Sequence, residues 1–228
     1  MSILPVRIFP LGDSAATFEF GREMSEDLNA AAIRLADVIL RDPFPGLIEA
    51  VPAIASTTVF YDPGVVKSSV KGERSAFSIV KSLVLGKTKS LDDPAYTETF
   101  RTVEIPVSFT EDCALDLEEI SRFSGLSAAE VIDTFISATY RVFMLGFLPG
   151  FAYMGMVDQI ISAPRKAVPR SKVPAGSVGI AGRQTGIYPC ECPGGWQIIG
   201  QTKTDMLAGH SGSPCIVQPG DRVRFVRA

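Results

Sequence analysis

The sequence predicts an α+β protein: a small N-terminal α+β domain followed by a small β-barrel. Three observations carry this. Strand-like and helix-like periods alternate up to about residue 88. A polar stretch from Thr88 to Arg101 (TKSLDDPAYTETFR) then interrupts them. From Arg141 onward short apolar runs are punctuated by glycine and proline, as in a barrel or sandwich of many short strands. The expected boundaries are a first domain over 1–90, a linker over 91–101 and a barrel domain over 102–228.

Each element follows from its local pattern. Arg7 to Phe20 alternates around Gly12-Asp13 and reads as a hairpin. Leu28, Ala32, Leu35, Ala36 and Ile39 recur at helical spacing, so Ser25 to Arg41 is a helix. Ile48 to Tyr61 is extended and broken by Pro52, and Asp62-Pro63-Gly64 reads as a turn. Ser75 to Leu85 is helical. That order suits helices on one face of a mostly antiparallel sheet. Thr102 to Phe109 is a β-branched strand, and Leu115–Ser124 and Ser127–Tyr140 are two helices. The second opens with Ser127 and Glu130 three residues on, a capping box. Asp221 to Val226 alternates as a closing strand.

Composition narrows the chemistry. Hydrophobic residues are 46% and charged residues 21% of 228, with a net charge of −3 and no basic cluster, so no nucleic-acid footprint is visible. No apolar run of about 18 residues spans a membrane. The first 20 residues lack a signal-peptide pattern, which points to the cytoplasm and to reduced thiols at Cys113, Cys190, Cys192 and Cys215. Cys190 and Cys192 lack the spacing and the second ligand pair of a zinc site, so no metal site is expected. His210 is the only histidine, and any histidine-based mechanism would run through it alone. Gly86-Lys87-Thr88 lacks the upstream glycine of a phosphate loop, and GSVGIAG at 176–182 lacks the strand–turn–helix setting of a dinucleotide site. Ser177 lacks the context of an activated nucleophile. Asp158 and Asp221 fit structural turn positions better than acid–base roles.

Three glycine-rich clusters remain: GFLPGFAYMG (146–155), VPAGSVGIAGRQTG (173–186) and CPGGWQIIG (192–200). Glycine permits positive φ and close backbone approach, and each cluster adds an aromatic ring or a polar amide. The functional reading is that they converge on one pocket. Phe147, Phe151, Tyr153 and Trp196 would be its walls, and Gln184, Thr185, Gln197 and Thr202 its hydrogen-bonding groups. Arg165 or Arg170 would hold a carboxylate or phosphate. The alternative is that the glycines serve barrel corners and the rings fill its core.

LGFLPGFAYMG, PR-x-x-VPR-x-x-VPAGSVGIAG, QTGIYP, PGGWQIIG-x-T and PGDRVRF, with PLGDSA and ASTTVFYDP nearer the N-terminus, resemble the family of 5-oxoprolinase B-type subunits, also called the KipI or allophanate hydrolase subunit 1 family. The resemblance implies a cyclophilin-like β-barrel as the second domain. It also implies a C-type (KipA-type) partner protein and a separate A-type component. Together these would cleave the lactam 5-oxo-L-proline to L-glutamate with ATP, together with Mg2+, as co-substrate. The other activities it leaves open are inhibition of a sensor histidine kinase and hydrolysis of another lactam or amide. Carried over by motif, the site would comprise Phe147, Pro149, Gly150, Phe151, Tyr153, Pro174, Ala175, Gly176, Ser177, Gln184, Thr185, Tyr188, Gly194, Gly195 and Trp196. Four positions depart from the family pattern. Phe135 stands where the family's helix usually carries a histidine, and Gln201 where an arginine often follows I-I-G. Gly182-Arg183 replaces a glycine pair, and Met156 a leucine or glycine.

Overall fold

The computed structural model describes residues 4–70, 72, 75–88, 100–208 and 214–228. The chain divides into two compact units, residues 1–99 and 100–228. Most of the expected linker, residues 91–99, and His210 lie outside the described residues. No described helix is long and apolar enough to cross a membrane.

In the first unit β1 (Arg7–Pro10) and β2 (Ala15–Glu19) form the expected hairpin. With β3 (Leu47–Pro52) and β4 (Ser56–Tyr61) they make an antiparallel sheet of order β1-β2-β4-β3. Helix α1 (Glu26–Arg41) buries Ala32, Leu35, Ala36 and Ile39. They share one core with Phe18, Val59 and Tyr61 of the sheet and with Ile79, Val80 and Val84 of the later helix over Ala76–Lys87, so both helices cover the same face. Asp62-Pro63-Gly64, expected as a turn, instead starts a short helix, α2 (Pro63–Ser68), which makes the later helix α3. The Asp62 carboxylate accepts from the Gly64 and Val65 amides at 2.8 and 3.0 Å, and Pro63 takes the first helical position. A turn and a helix start use the same aspartate and proline chemistry, and burial of Val66 in the core holds the segment that follows as helix.

The second unit is built on seven strands. In chain order they are β5 (Thr102–Val107), β6 (Thr139–Leu145), β7 (Ala152–Gly155), β9 (Ser177–Ala181), β10 (Gln184–Ile187), β12 (Gln197–Gln201) and β13 (Arg222–Arg227). Between them β8 (Arg170–Val173) and β11 (Cys192–Gly194) form a separate two-stranded ribbon. The sheet order is β12-β9-β10-β7-β6-β13-β5. Reciprocal backbone hydrogen bonds between Ser108 and Gln201, at 2.8 and 2.9 Å, join its two edges, so the sheet is a nearly closed barrel. The strand expected to close it, β13, lies inside the sheet, antiparallel to β6 and parallel to β5. The seam falls instead just beyond β5. Arg101, assigned to the linker, pairs with Asp221 at 2.6 Å and so belongs to this unit.

Helices α4 (Leu117–Ser124) and α5 (Ala128–Ser137) contribute Ile120, Val131 and Phe135 to the barrel core. The capping box is present. The Ser127 amide donates to the Glu130 carboxylate at 2.8 Å, and the Glu130 amide to Ser127 Oγ at 3.3 Å. The helix expected to reach Tyr140 stops at Ser137. Tyr140 is already in β6, its ring in the core and its hydroxyl donating to the Phe135 carbonyl at 2.7 Å. That bond supplies a partner for a carbonyl at the open end of the helix. Phe135 is itself fully buried, stacked on Phe225 with ring centroids 4.9 Å apart.

Ser127→Ala should lower the stability of this unit by about 1 kcal/mol, the usual cost of losing such a cap. Urea denaturation followed by circular dichroism measures it, with the midpoint shifted and the slope unchanged.

Candidate functional site

The barrel has a second, smaller core on its outside. Phe151, Val173, Tyr188, Trp196 and Ile198 pack there, with Tyr153 at the edge. Glycine makes this possible. A Cβ at Gly179 would meet Trp196 Cβ at 3.0 Å, and one at Gly186 would meet Phe151 Cζ at 2.9 Å, so the rings lie directly on the backbone of β9 and β10. At Gly194 a Cβ would be 2.5 Å from the Tyr188 hydroxyl oxygen. Phe151 is the hub. Tyr188 and Trp196 meet it edge-on, with centroids at 5.3 and 5.5 Å and interplanar angles of 83° and 87°. Phe147 does the same from outside, at 5.5 Å and 87°. Edge-to-face contact is the favourable geometry for aromatic quadrupoles.

These rings wall a cavity of about 290 Å³, completed by Arg165, Lys166, Pro169, Pro193, Gly194 and Gly195. The volume suits a small molecule. Phe147, at its rim, combines a φ of 70° with 61% exposure. A bulky residue in the left-handed region is strained and marks a position held by its surroundings.

Two cations, Arg165 and Lys166, line the cavity and a third, Arg170, follows Pro169; two of the three are neutralised. Asp116, 3% exposed, precedes α4. Its carboxylate accepts from Arg170 Nη1 and Nη2 at 2.8 and 2.6 Å, from Lys166 Nζ at 2.9 Å and from the Ile198 amide at 2.7 Å. Glu119 adds a second contact to Lys166 at 2.9 Å. Burial alone would raise the Asp116 carboxyl, but these four hydrogen bonds more than offset it and hold the group below the usual carboxylate range. Arg165 has no carboxylate partner among the described residues, and its guanidinium lies 5.9 Å from the Trp196 ring centre. Burial pushes the Tyr153 and Tyr188 hydroxyls up, partly countered at both by Arg165, and at Tyr188 also by a hydrogen bond with the Trp196 backbone. Both therefore stay protonated at neutral pH. The cavity thus offers flat apolar walls, one available guanidinium and neutral phenols.

Of the residues expected in one pocket, the structure brings together Phe147, Phe151, Tyr153, Arg165, Tyr188, Gly194, Gly195 and Trp196. Pro149 and Gly150 shape the turn behind Phe151, with Gly150 (φ 84°) against Leu207 and Pro189. The middle cluster goes elsewhere. Pro174, Ala175, Gly176 and Ser177 form a turn backed onto Thr202. The Gly176 amide donates to the Tyr188 carbonyl at 2.7 Å, its carbonyl accepts from the Thr202 amide at 2.9 Å, and a Cβ there would be 2.1 Å from the Thr202 carbonyl oxygen. Gln201 donates from its side chain to the Ala175 carbonyl at 2.7 Å. Gln201 and Thr202 line a different cavity, of about 420 Å³, with Ser108, Asp112, Cys113 and Lys203.

Strand alternation removes the expected polar pair. Thr185 pairs with Ile180 and Met154, whose side chains fill the barrel interior. There it is fully buried and donates to the Gly179 carbonyl at 2.9 Å. Gln184 lies one residue earlier on β10, against Gly155 and Ala181, and lines neither cavity. Gln197 is buried and donates to the Pro164 carbonyl at 3.1 Å. Arg170 is committed to Asp116. Asp158 caps a 3-10 turn by accepting from the Ile160 amide at 2.9 Å. Sequence reasoning missed Lys166, Pro169, Pro193 and Asp116. Lys166 and Pro169 flank or precede the two arginines already singled out, a usable signal. Asp116 has none, because its partners lie 50 or more residues away.

A ring-walled pocket on the outside of a small barrel, in a chain with a separate α+β unit, places the protein in a defined class: the model of the carboxyltransferase domain, subdomain C and D, matches residues 6–217. The chain belongs to that family, and within it to the 5-oxoprolinase B-type subunits. It is 44% identical to the B-type subunit of 5-oxoprolinase from Bacillus subtilis over 97% of this chain and 92% of that one. With its counterpart of the same name from Escherichia coli O157:H7 it shares 34% identity over 96% of this chain and 95% of that one. The crystal structure of TTHA0988 superposes with a TM-score of 0.77 at 37% identity, covering 94% of this chain. This chain spans about two fifths of the length of that solved chain, 39%.

Two outcomes test the site. Gly194→Ala should displace Tyr188 and destabilise the unit by roughly 2 kcal/mol, within the range of overpacked cores, while shifting the emission of Trp196, the only tryptophan. Asp116, depressed in the folded state, contributes stability that is complete above the unfolded carboxylate value of about 3.9 and is lost as pH falls through the folded value. Denaturation midpoints should therefore drop below about pH 4 in the parent, and more shallowly in Asp116→Asn.

Proposed function

We propose that this chain is the B-type subunit of an ATP-dependent 5-oxoprolinase. In this reading it acts with a C-type (KipA-type) partner and a separate A-type component to open 5-oxo-L-proline to L-glutamate. The observation that carries it is the cavity itself: flat aromatic walls, one guanidinium left available and two neutral phenols in about 290 Å³. A small planar lactam bearing a carboxylate matches each part. Arg165 would hold the carboxylate by charge-assisted hydrogen bonds. Phe151 and Trp196 would bury the ring faces and exclude water. Tyr153 or Tyr188 would donate to the lactam carbonyl, where negative charge develops on attack. Fixing ring and carboxylate in one orientation removes much of the entropic part of the barrier.

The lactam is a stable amide; transfer of the ATP γ-phosphoryl to its carbonyl oxygen, with release of ADP, would activate it, so that attack of water opens the C–N bond and the oxygen departs as phosphate. The residues around this cavity do not fit a triphosphate with Mg2+. Its described lining offers one available cation, no carboxylate and no glycine loop at a helix start. In this reading the nucleotide binds elsewhere than in this cavity, and the role of the cavity is to bind and orient the lactam.

A second reading is a KipI-type interaction module that inhibits a sensor histidine kinase. It is favoured by Phe147 and Val168, 61% and 79% exposed, on the two segments flanking the cavity. Co-expression with the C- and A-type components, followed by ATP hydrolysis with and without 5-oxoproline, separates the two. Lactam-stimulated hydrolysis is expected from the full complex. Arg165→Ala should raise KM for the lactam about tenfold or more, the worth of a charge-assisted contact. No stimulation in any combination of components, alongside tight binding to a kinase, would leave only the second reading.

A further inference from the structure

The cavity has two walls that come from different parts of the chain, residues 165–169 on one side and 193–196 on the other. They touch where Gly195 faces Pro169, since a Cβ on Gly195 would be 3.5 Å from Pro169 Cγ. Wall 165–169 has no regular secondary structure of its own, so what holds it is tertiary. Its start is tied by the Pro164 carbonyl, which accepts from Gln197, and by the Lys166 amide, which donates to the Gly195 carbonyl at 2.7 Å. Its far end is tied by Arg170, and its middle by the Lys166 ammonium, both on Asp116. The same carboxylate grips the opposite wall's strand through the Ile198 amide, and the Asp116 amide donates back to the Ile198 carbonyl at 2.8 Å. Asp116 thus bonds to Lys166 in one wall and, through Ile198, to the strand that continues from the other, while lying outside the cavity.

We infer that Asp116 is a positioning residue: a buried carboxylate that sets the spacing between the two walls, and with it the reach of Arg165 across the Trp196 ring. Three features agree. The carboxylate uses both oxygens on Arg170 in a bidentate fork, which fixes direction as well as distance. It neutralises Lys166 and Arg170, so that Arg165 is left as the cation facing the ligand. Arg165 itself is anchored through its neighbours on either side, so its guanidinium can swing only as far as that backbone allows. The inference rests on the lactam reading for its kinetic part but not for its structural part.

Two measurements on Asp116→Asn test it, with Arg170→Lys as a second variant that keeps the charge and loses the fork should the first not fold. In the isolated full chain, amide exchange at Lys166 should accelerate, and acrylamide should quench Trp196 more strongly. Unchanged exchange and quenching would overturn the inference whatever the protein's activity. In the assembled complex, KM for 5-oxoproline should rise about tenfold, with kcat within about twofold, because a binding contact shared by ground state and transition state is weakened and no reacting group is lost. A fitted wall discriminates one methylene by roughly 10- to 200-fold. The preference for 5-oxoproline over its six-membered homologue, 6-oxopiperidine-2-carboxylate, should therefore fall by at least about threefold. Faster exchange with that preference intact would reduce Asp116 to a purely structural staple and refute the positioning role. Absence of lactam turnover in the parent complex would instead count against the functional reading, and the exchange and quenching results would still decide the role of Asp116.

Discussion

The site depends on a constraint in the sheet beneath it: one facing pair of outward positions on two neighbouring strands carries no side chain. Gly179 and Gly186 are register partners on β9 and β10, and Phe151 and Trp196 occupy the space that their Cβ atoms would take. An outward sheet face would ordinarily be polar and solvated. Here that pair is bare backbone, and the rings that cover it bury apolar surface outside the barrel. Burial of each ring contributes roughly 2–3 kcal/mol, so the outer cluster is a second core with an opening, and the opening is the cavity.

Electrostatics then sets which cation is left at that opening. A wall rich in cations would attract any anion. Pairing Lys166 and Arg170 with Asp116 and Glu119 leaves a single guanidinium directed at the rings. Taking a carboxylate out of water is costly unless its lone pairs are filled, and Asp116 fills them with four donors from three separate residues. The carboxylate thus holds two cations and the backbone of β12 at once. The second cavity, at the barrel seam, is built differently, from hydroxyls, an amide, a thiol, the Asp112 carboxylate and Lys203. It shares no lining residue with the first.

Much of this was legible in residue order. The capping box at Ser127, the hairpin at Gly12-Asp13, the helix over Ser25–Arg41 and the aromatic loop at 146–155 were all readable because each rests on contacts within a few residues. The errors were also local in origin. Asp62-Pro63-Gly64 serves a turn and a helix start equally well. Tyr140 follows a helical stretch without a break, and only the strand pairing of β6 draws it out of the helix. The single convergent pocket failed at Gln184 and Thr185 because a strand alternates its sides, and which side faces the barrel interior depends on Ile180 and Met154 across the sheet.

By itself the sequence determined the α+β class, the change of character before the barrel, the family, and the aromatic and glycine residues that build the outer cluster, since these follow from composition, short-range period and motif. Tertiary structure decided which clusters meet, which of three neighbouring cations stays available, and that a carboxylate some 50 residues upstream in the chain governs them. The physical reason is that hydrogen bonds and ring contacts act over a few ångströms in space, and only folding brings Asp116, Arg170 and Ile198 within that range.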